Sequence, residues 1–522
     1  GEAYISHLKK RGADTGTGRR VAVVGGGPSG LACAHDLAFL GHKVTVFEAT
    51  DRLGGMMRLG IPEYRLPRAV MEREIDAILE LGVEVRTRAG LSAEHPLSSL
   101  FDEGFEAVFL ASGAGRGRDL EVEGSDLDGV VRAIDFLINV NTSYRATVGD
   151  RVLVVGGGNV ALDVARTARR GQPPSSRAPT GPDRALPGAN AFRAALTGIE
   201  KEVHVVARQP FGEWPAQKSV HGREEVEEAK REGVMFHALR GVRRILGEQG
   251  RVVAVELAEV VSLRDDRGRY APVYGTHAAE TIPCDTVFLA VGQEPDLDYL
   301  GPTTQLARTK DGLIAVDRES LATTLPGVYA GGDAAFGPRT LIEAVAEGKR
   351  AARSMHRHLC GDHPPPWIAT FTEVHPRDAA PVPDYDRLPR VDPSCVELAR
   401  RTGVAEVEGG YDEPEARRQA QRCLACHVQT IYDGDLCVAC GRCTDVCPHR
   451  CLSLVAATDV EPAGLASLRQ PDRDLVMVKD ETACIRCGLC AERCPTGAMR
   501  MERLDWKVAE TGAEVGAAAG MP

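Results

Sequence analysis

The chain is predicted to be α/β, with two nested parallel-sheet domains followed by a small α+β domain. Three observations carry that expectation. A short β-branched run, Arg20 to Val24, leads into the turn Gly25-Gly26-Gly27-Pro28-Ser29-Gly30 and then an apolar helical pattern from Leu31 to Leu40. The same strand, turn and helix begin again at Arg151. Near the C-terminus, two runs of four cysteines repeat a single spacing. Short β-branched runs read as buried strands, and a change to a 3.6-residue period reads as a helix.

Composition describes an ordinary globular protein. The chain has 522 residues, 43% of them hydrophobic and 26% charged, and that length suits about three or four domains. A formal net charge of -11, with no long basic tract, excludes nucleic acid as the expected partner. No apolar stretch reaches the roughly 18 residues of a membrane span, so no membrane span is expected, and no signal peptide is read. The chain opens on Gly1 rather than Met, which leaves room for an upstream segment. Most of the 15 cysteines crowd between Cys423 and Cys494 at ligand spacing, which points to a reducing, cytoplasmic setting.

In chain order, residues 1–19 are a lead-in and residues 20–147 the first part of one domain. Gly25, Gly27 and Gly30 keep the G-x-G-x-x-G spacing, and the next strand, Lys43 to Phe47, ends at Glu48. The first glycine permits a tight turn, the second lets backbone approach a pyrophosphate, and the third lets helix pack on strand. Pro28 and Ser29 open the helix, whose free N–H groups would face the phosphates. Glu48 stands where an acid accepts hydrogen bonds from a ribose. A phosphate-free glycine turn is the plainer alternative, and strand, helix and acid together argue against it. This is a Rossmann-like, dinucleotide-binding pattern.

Residues 148–298 repeat the device, with Val152 to Val155 followed by Gly156, Gly158, Asn159 and Val160, and Ala161 in place of the third glycine. The helix runs to about Arg170, but the second strand, Val203 to Val206, arrives late. The Pro-, Gly- and Ala-rich segment 171–198 between them is expected to be a loop insertion. Two nested nucleotide folds imply two nucleotides. The second fold's strand ends at Ala207-Arg208-Gln209. An acid there favours NADH through the 2′-OH, and an arginine favours the 2′-phosphate of NADPH. Arg208 tilts the expectation slightly toward NADPH, although a single exposed arginine is as often merely solvated. The expectation stays at NAD(P).

Residues 299–366 return to the first domain. From 367 to 422 periodicity fades and Pro and Asp accumulate, which reads as a surface linker ending in the helix Glu413 to Arg422. Residues 423–522 form the cysteine domain. Cys437, Cys440, Cys443 and Cys447, then Pro448, and Cys484, Cys487, Cys490 and Cys494, then Pro495, both follow C-x2-C-x2-C-x3-C-P. Bacterial two-cluster ferredoxins hold a pair of 4Fe–4S clusters with this spacing. Three close thiolates grip one cubane, and the fourth, released by the proline turn, crosses to the other. The expected sets are therefore Cys437, Cys440, Cys443 with Cys494, and Cys484, Cys487, Cys490 with Cys447. Zinc is the alternative, since C-x2-C pairs also build zinc ribbons, but zinc has no use for the third step or the proline.

Further motifs make the chain similar to known flavoproteins. Asp51-Arg52-Leu53-Gly54-Gly55, Ala111-Ser112-Gly113 and Gly331-Gly332-Asp333 resemble segments of two-dinucleotide-binding flavoproteins. That resemblance implies FAD in the first fold, near Arg52, Gly55, Gly113, Gly332 and Asp333, and NAD(P) in the second. It implies that Asp333 binds the ribityl–pyrophosphate region. It also implies that the helix beginning near Thr340 aims its N-terminus at the flavin N1/C2=O edge, where a partial positive charge stabilises anionic reduced flavin.

Ile61-Pro62-Glu63-Tyr64-Arg65-Leu66-Pro67, the stretch Gly156 to Asp163, and Glu213-Trp214-Pro215-Ala216 resemble the small (β) subunit of glutamate synthase over residues 20–360. The segment Gln421 to Cys426 recurs in that wider family. Those small subunits carry an N-terminal iron–sulfur domain and lack a C-terminal two-cluster ferredoxin, so this chain looks most like a subset that carries one. Members of that subset are electron-input subunits of larger complexes, such as 2-oxoacid:acceptor oxidoreductases or a subunit associated with dissimilatory sulfite reductase. The resemblance implies an FAD-dependent NAD(P)H:acceptor oxidoreductase, exchanging hydride between NAD(P)H and FAD and single electrons with two clusters. Its partners would be catalytic subunits of a larger redox complex. Hydride transfer needs no acid–base residue, so no catalytic side chain is expected. The rivals are the small subunit of an NADPH-dependent glutamate synthase and a redox-silent assembly subunit.

Weaker signals remain. Cys423-x-x-Cys426-His427 matches a c-type haem attachment pattern, against which a reducing setting argues; a structural pair or ligands of a further cluster are the alternatives. Cys33, Cys284, Cys360, Cys395 and Cys451 are read as buried thiols serving as small hydrophobes. His221 and His449 are assigned no role, and Glu343 is read as an ordinary helix-terminus acid.

Overall fold

The computed structural model describes residues 17–142, 148–170, 201–265, 267–301, 304–361, 367–379, 381–401, 406–460 and 475–508. The expected lead-in up to residue 16 and the loop insertion 171–198 lie outside the described residues. Two compact units form: Gly1–His363 with Cys395–Glu408, and Pro364–Ser394 with Gly409–Pro522.

The first unit holds two five-stranded parallel sheets. One runs in the order Val328–Ala330, Ala107–Leu110, Arg20–Val24, Lys43–Phe47, Glu84–Arg86. The other runs Val130–Arg132, Thr286–Leu289, Arg151–Val155, Glu202–Ala207, Met235–Ala238. The chain leaves the first sheet after Ala107–Leu110, completes the second, and returns at Val328–Ala330, so the two are nested. Parallel strands buried on both faces read as continuous apolar runs, which is why Val21–Val24 and Val152–Val155 were legible.

Four helices matter to the sites: α1, Pro28–Phe39; α2, Asn159–Arg170; α3, Val220–Arg231; and α4, Leu341–Cys360. Helix α4 crosses α1 at Gly348, where an added Cβ would lie 2.1 Å from the Ser29 carbonyl oxygen. A third sheet, antiparallel, joins Arg240–Glu248, Arg251–Arg264 and Tyr270–Pro283. Its Ile245, Val252, Val255 and Leu257 share a core with Leu153, Val206 and Val287 of the second parallel sheet.

The second unit pairs Trp367–Glu373 and Val428–Tyr432 with opposite edges of Met499–Val508, all antiparallel. A separate two-stranded ladder joins Leu452–Ala456 to Leu475–Lys479. This corrects the reading of 367–422 as a linker. Residues 367–373 form a strand in register from Trp367 opposite Val508 to Glu373 opposite Glu502. A strand that draws its hydrogen bonds from a partner so distant in sequence leaves little local signal. Within the same stretch, Cys395–Glu408 belongs to the first unit. The Arg401 guanidinium, 6% exposed, binds Glu228 at 2.5 Å and Glu232 at 3.1 Å there. The expected helix appears as Glu413–Ala420, its N-terminus capped by the Asp412 carboxylate accepting from Glu415 N–H. No helix among the described residues is long and apolar enough to cross a membrane.

Candidate flavin, nucleotide and cluster sites

Both glycine turns are built the same way. Gly25 has φ +108° and Gly156 φ +144°, so each sits where an L side chain is strained. An added Cβ would lie 2.3 Å from the Ala111 carbonyl oxygen at Gly25, and 2.3 Å from the Ala290 carbonyl oxygen at Gly156. Each turn thus passes directly over the end of the neighbouring strand. The next glycines differ in kind. An added Cβ at Gly27 meets nothing nearer than the Gly55 Cα at 3.8 Å, and one at Gly158 meets nothing within 4 Å. Backbone there is open to a ligand. At Gly30 an added Cβ would lie 1.9 Å from the Gly25 carbonyl oxygen, which is the close helix packing expected of the third position.

Around the first turn, Pro28 opens α1 and Ser29 is buried. Ser29 Oγ has no hydrogen-bond partner among the described residues. An orphaned buried hydroxyl at a helix N-terminus is a group waiting for an acceptor such as a phosphate oxygen. Glu48 is buried and accepts from Gly26 N–H at 2.8 Å, Thr50 N–H at 2.8 Å and Thr50 Oγ at 2.9 Å. Gly55, at φ +49°, lies against Gly27, Gly113 faces open space, and Arg52 is 66% exposed beside Glu72.

Asp333 starts a short helix and its carboxylate accepts from Arg339 N–H at 3.3 Å. Burial pushes the Asp333 carboxyl above its ordinary value, against the opposing pull of Arg339. Gly332, at φ +61°, donates its N–H to Glu347 at 2.8 Å. Glu347 lies on the buried face of α4 and also pairs with Arg339. Thr340 is the N-cap of α4, and the Glu343 carboxylate accepts from Thr340 N–H at 2.9 Å, as a capping acid does.

A cleft of about 580 Å³ connects the second turn to the start of α4. Its walls include Gly156 to Val160, Arg208, Arg240, Tyr274, Arg339 and Thr340. Arg208 reaches Tyr274 Oη at 3.5 Å and lies over the Tyr270 ring. Arg240 enters from the third sheet and Arg339 from the start of α4, so three guanidinium groups line this cleft where the sequence pointed to one.

The Ile61–Pro67 motif finds its reason beside this cleft. Arg65 donates from one guanidinium nitrogen to both carboxylate oxygens of Asp163 on α2, at 2.9 Å each. Buried Tyr64 lies under the guanidinium groups of Arg166 and Arg170, 4.9 Å and 4.0 Å from the ring centre. The motif therefore ties the loop before the helix Arg68–Leu79 to the nucleotide helix of the second fold.

In the second unit the two cysteine runs line two small cavities. Cys437, Cys440, Cys443 and Cys494 share one with Tyr432 and Met499. Cys447, Cys484, Cys487 and Cys490 share the other with Lys479 and Cys451. Each run thus sends its fourth cysteine to the opposite cavity. Four thiols facing one space are the donor set that a 4Fe–4S cubane requires. Burial pushes the Cys490 thiol up to about 11, so assembling a cluster there releases a proton. Cys451 is buried with its Sγ 3.3 Å from Cys447 Sγ. The exposed pair Cys423 and Cys426 lies on a turn like that of Cys437 and Cys440. Ala425 and Ala439 both have positive φ, 47° and 51°. Both N–H groups point at the preceding cysteine sulfur, at 3.4 Å.

A family model described as pyridine nucleotide-disulphide oxidoreductase matches residues 19–348. The chain belongs to that family. A second model, described as a 4Fe-4S dicluster domain, matches residues 436–498. Over 424 residues the chain is 35% identical to the NADP(+)-dependent formate dehydrogenase subunit beta of Moorella thermoacetica, a match covering 79% of this chain and 55% of that protein. The chain therefore spans little more than half the length of that relative. It is 31% identical to the glutamate synthase (NADPH) small chain of Halomonas elongata, over 66% of this chain and 69% of the relative. Its fold is similar to that of Mycobacterium tuberculosis FprA in complex with NADPH, with a TM-score of 0.53 and 19% identity over 66% of this chain and 84% of that one.

The chain thus joins a pyridine nucleotide-disulphide oxidoreductase region to a 4Fe–4S dicluster domain. The structure gathers the sequence-selected residues into three places: the first turn with Gly332 and Asp333, the cleft from Gly156 to Thr340, and the two cysteine cavities. Glu347, Arg240 and Arg339 were not singled out from the sequence. Glu347 carried a signal, an acid on a helix face otherwise made of Ala344, Gly348, Ala351, Ala352 and Met355. Arg240 carried none, because its place depends on how the third sheet docks. Of the single thiols, Cys33, Cys284 and Cys451 are buried as expected, but Cys360 is half-buried and Cys395 exposed. Composition does not report burial for an isolated residue.

Proposed function

We propose that this chain is the electron-input subunit of a larger redox complex, taking reducing equivalents from NADPH. The observation that carries this reading is the single cleft running from the second glycine turn to the N-terminus of α4. In this reading Gly25, Gly27, Ser29, Gly30, Glu48, Gly332 and Asp333 hold FAD. Gly156, Gly158, Asn159 and Val160 hold the nicotinamide dinucleotide, and Arg208 with Arg240 faces its 2′-phosphate. When bound, FAD would supply hydride chemistry toward the nicotinamide, and the clusters would supply one-electron transfer. The chain's own residues do the rest. Open backbone at Gly27 and Gly158 admits the pyrophosphates. The free N–H groups of α4 place a partial positive charge at one end of the cleft. Cys437, Cys440, Cys443 and Cys494 bind one cluster, and Cys484, Cys487, Cys490 and Cys447 the other.

The relatives' printed names, an NADP(+)-dependent dehydrogenase subunit and an NADPH-dependent small chain, support NADPH over NADH. The density of exposed and half-buried thiols supports a reducing compartment such as the cytoplasm. An anaerobic titration with NADPH and, separately, NADH tests the proposal, following flavin absorbance and cluster EPR together. NADPH is expected to bleach the flavin and raise cluster signals at lower concentration than NADH. Reduction by neither nucleotide, in protein with full flavin and iron content, overturns it.

A further inference from the structure

On the face of the first unit formed by the turn after α1 and the last turns of α4, three ligand-type side chains converge. They are His42, His356 and Cys360, and one potential ligand atom from each lies within 4.8 Å of the others. His356 and Cys360 stand four residues apart on α4, the separation that stacks side chains on one helix face. His42 is brought to them by the turn that follows α1, and it is 6% exposed. No sequence motif connects residues so far apart.

The hydrogen bonds set the protonation of the pair. Thr17 Oγ donates to the Gly41 carbonyl oxygen at 3.2 Å, so it accepts from His42 Nδ1–H at 2.9 Å. A hydroxyl has only one proton to give. The His42 Nε2 lone pair is therefore left facing His356 Nδ1, 2.9 Å away. A neutral imidazole oriented through its other nitrogen is how proteins prepare a metal-binding histidine.

We propose that His42 Nε2, His356 Nδ1 and Cys360 Sγ form a zinc(II) site that clips the C-terminal end of α4 to the turn after α1. Two imidazole nitrogens and a thiolate are a zinc donor set, with a fourth position open to water. Two nitrogens on a tetrahedral zinc sit about 3.3 Å apart, given Zn–N bonds of about 2.0–2.1 Å. The pair needs to open by only about 0.4 Å from its 2.9 Å separation. The proton balance is simple: the Cys360 thiol loses its proton to solvent, and the His356 proton moves from Nδ1 to Nε2. The site is separate from the cysteine cavities, which belong to the second unit.

The test uses the full-length holoprotein, dialysed against micromolar Zn²⁺ and then against metal-free buffer, with zinc and iron measured by mass spectrometry. Wild type is expected to retain one more zinc per chain than Cys360→Ser and than His356→Gln, at unchanged iron. Its zinc X-ray absorption is expected to show one sulfur and two imidazoles that the variants lack. Zinc at the cluster cysteines or at Cys423 and Cys426 would appear equally in all three proteins and cancel. Equal zinc retention in wild type and both folded variants overturns the proposal.

Discussion

Glu347 shows how a single buried carboxylate can organise a site that its own motif does not mention. It receives the Gly332 N–H at the point where the chain turns through φ +61°, and it pairs with Arg339 at the rim of the cleft. In the proposed function, Arg208 and Arg240 are the specificity pair at the same scale. A charge-assisted hydrogen bond is worth about 1.5–3 kcal/mol, so losing one is a factor of about 10 to 100. Arg240→Ala and Arg208→Ala are each expected to raise the KM for NADPH by about that factor and to leave the KM for NADH nearly unchanged. Steady-state kinetics with both nucleotides decides it, and an equal rise for both would assign these arginines to general binding. Cys451 offers a second prediction. If Cys447 ligates iron, the only proton between the two sulfurs is that of Cys451, which then donates to a ligand sulfur. Hydrogen bonds to cluster sulfurs raise potential. Cys451→Ala is expected to lower the midpoint potential of that cluster in an EPR redox titration, and an unchanged potential would leave Cys451 as packing alone.

Among the elements, α2 and α3 are held by charge as much as by packing. Arg166 of α2, 3% exposed, binds Glu232 at 3.0 Å and also pairs with Glu225 of α3. Glu232 gathers Arg170 and Arg401 as well. Burial works to raise the Glu232 carboxyl, but hydrogen bonds from Arg166 and Arg170 outweigh it and hold the group below its ordinary value. An unfolded glutamate titrates near about 4.3. The stabilisation from Glu232 is therefore complete above that pH and is lost as pH falls through the lower folded value. Denaturant unfolding from pH 6 to pH 3 is expected to show an acid limb that Glu232→Gln flattens. The same acidification would take away one of the two carboxylates that hold Arg401, loosening a contact no local pattern announced. Hydrogen exchange around Arg401, rising as pH falls, is the companion measurement.

Viewed whole, the molecule rests on two different kinds of core. The first unit buries large apolar clusters on both parallel sheets, including Phe47, Phe109, Phe136, Trp214 and Phe288. In the second unit the main buried cluster is Cys443, Cys451, Leu452, Cys484, Cys490 and Met499, mostly thiols. Such a core cannot offset the chain entropy of folding without its metal. Anaerobic removal of iron by a chelator is expected to abolish protection of the second unit in hydrogen exchange while the first unit keeps its flavin and its slow amides. Retained protection in iron-free protein would show that the ladders alone suffice.

What the sequence determined by itself was everything encoded in short-range chemistry. The glycine turns, the strands beside them and the cysteine spacing were legible, because a tight turn, a helix N-terminus and a cubane each demand particular residues at fixed local separations. The crossing of Cys447 and Cys494 to opposite cavities followed from the same spacing. Only the tertiary structure decided the matters of long-range approach. It placed Arg240 beside Arg208, set Glu347 against Gly332, paired Trp367–Glu373 with Met499–Val508, and met His42 with His356 and Cys360. In each case the partners are brought together by sheet order or helix crossing, and the hydrogen bonds or burial that join them leave no periodicity in the chain.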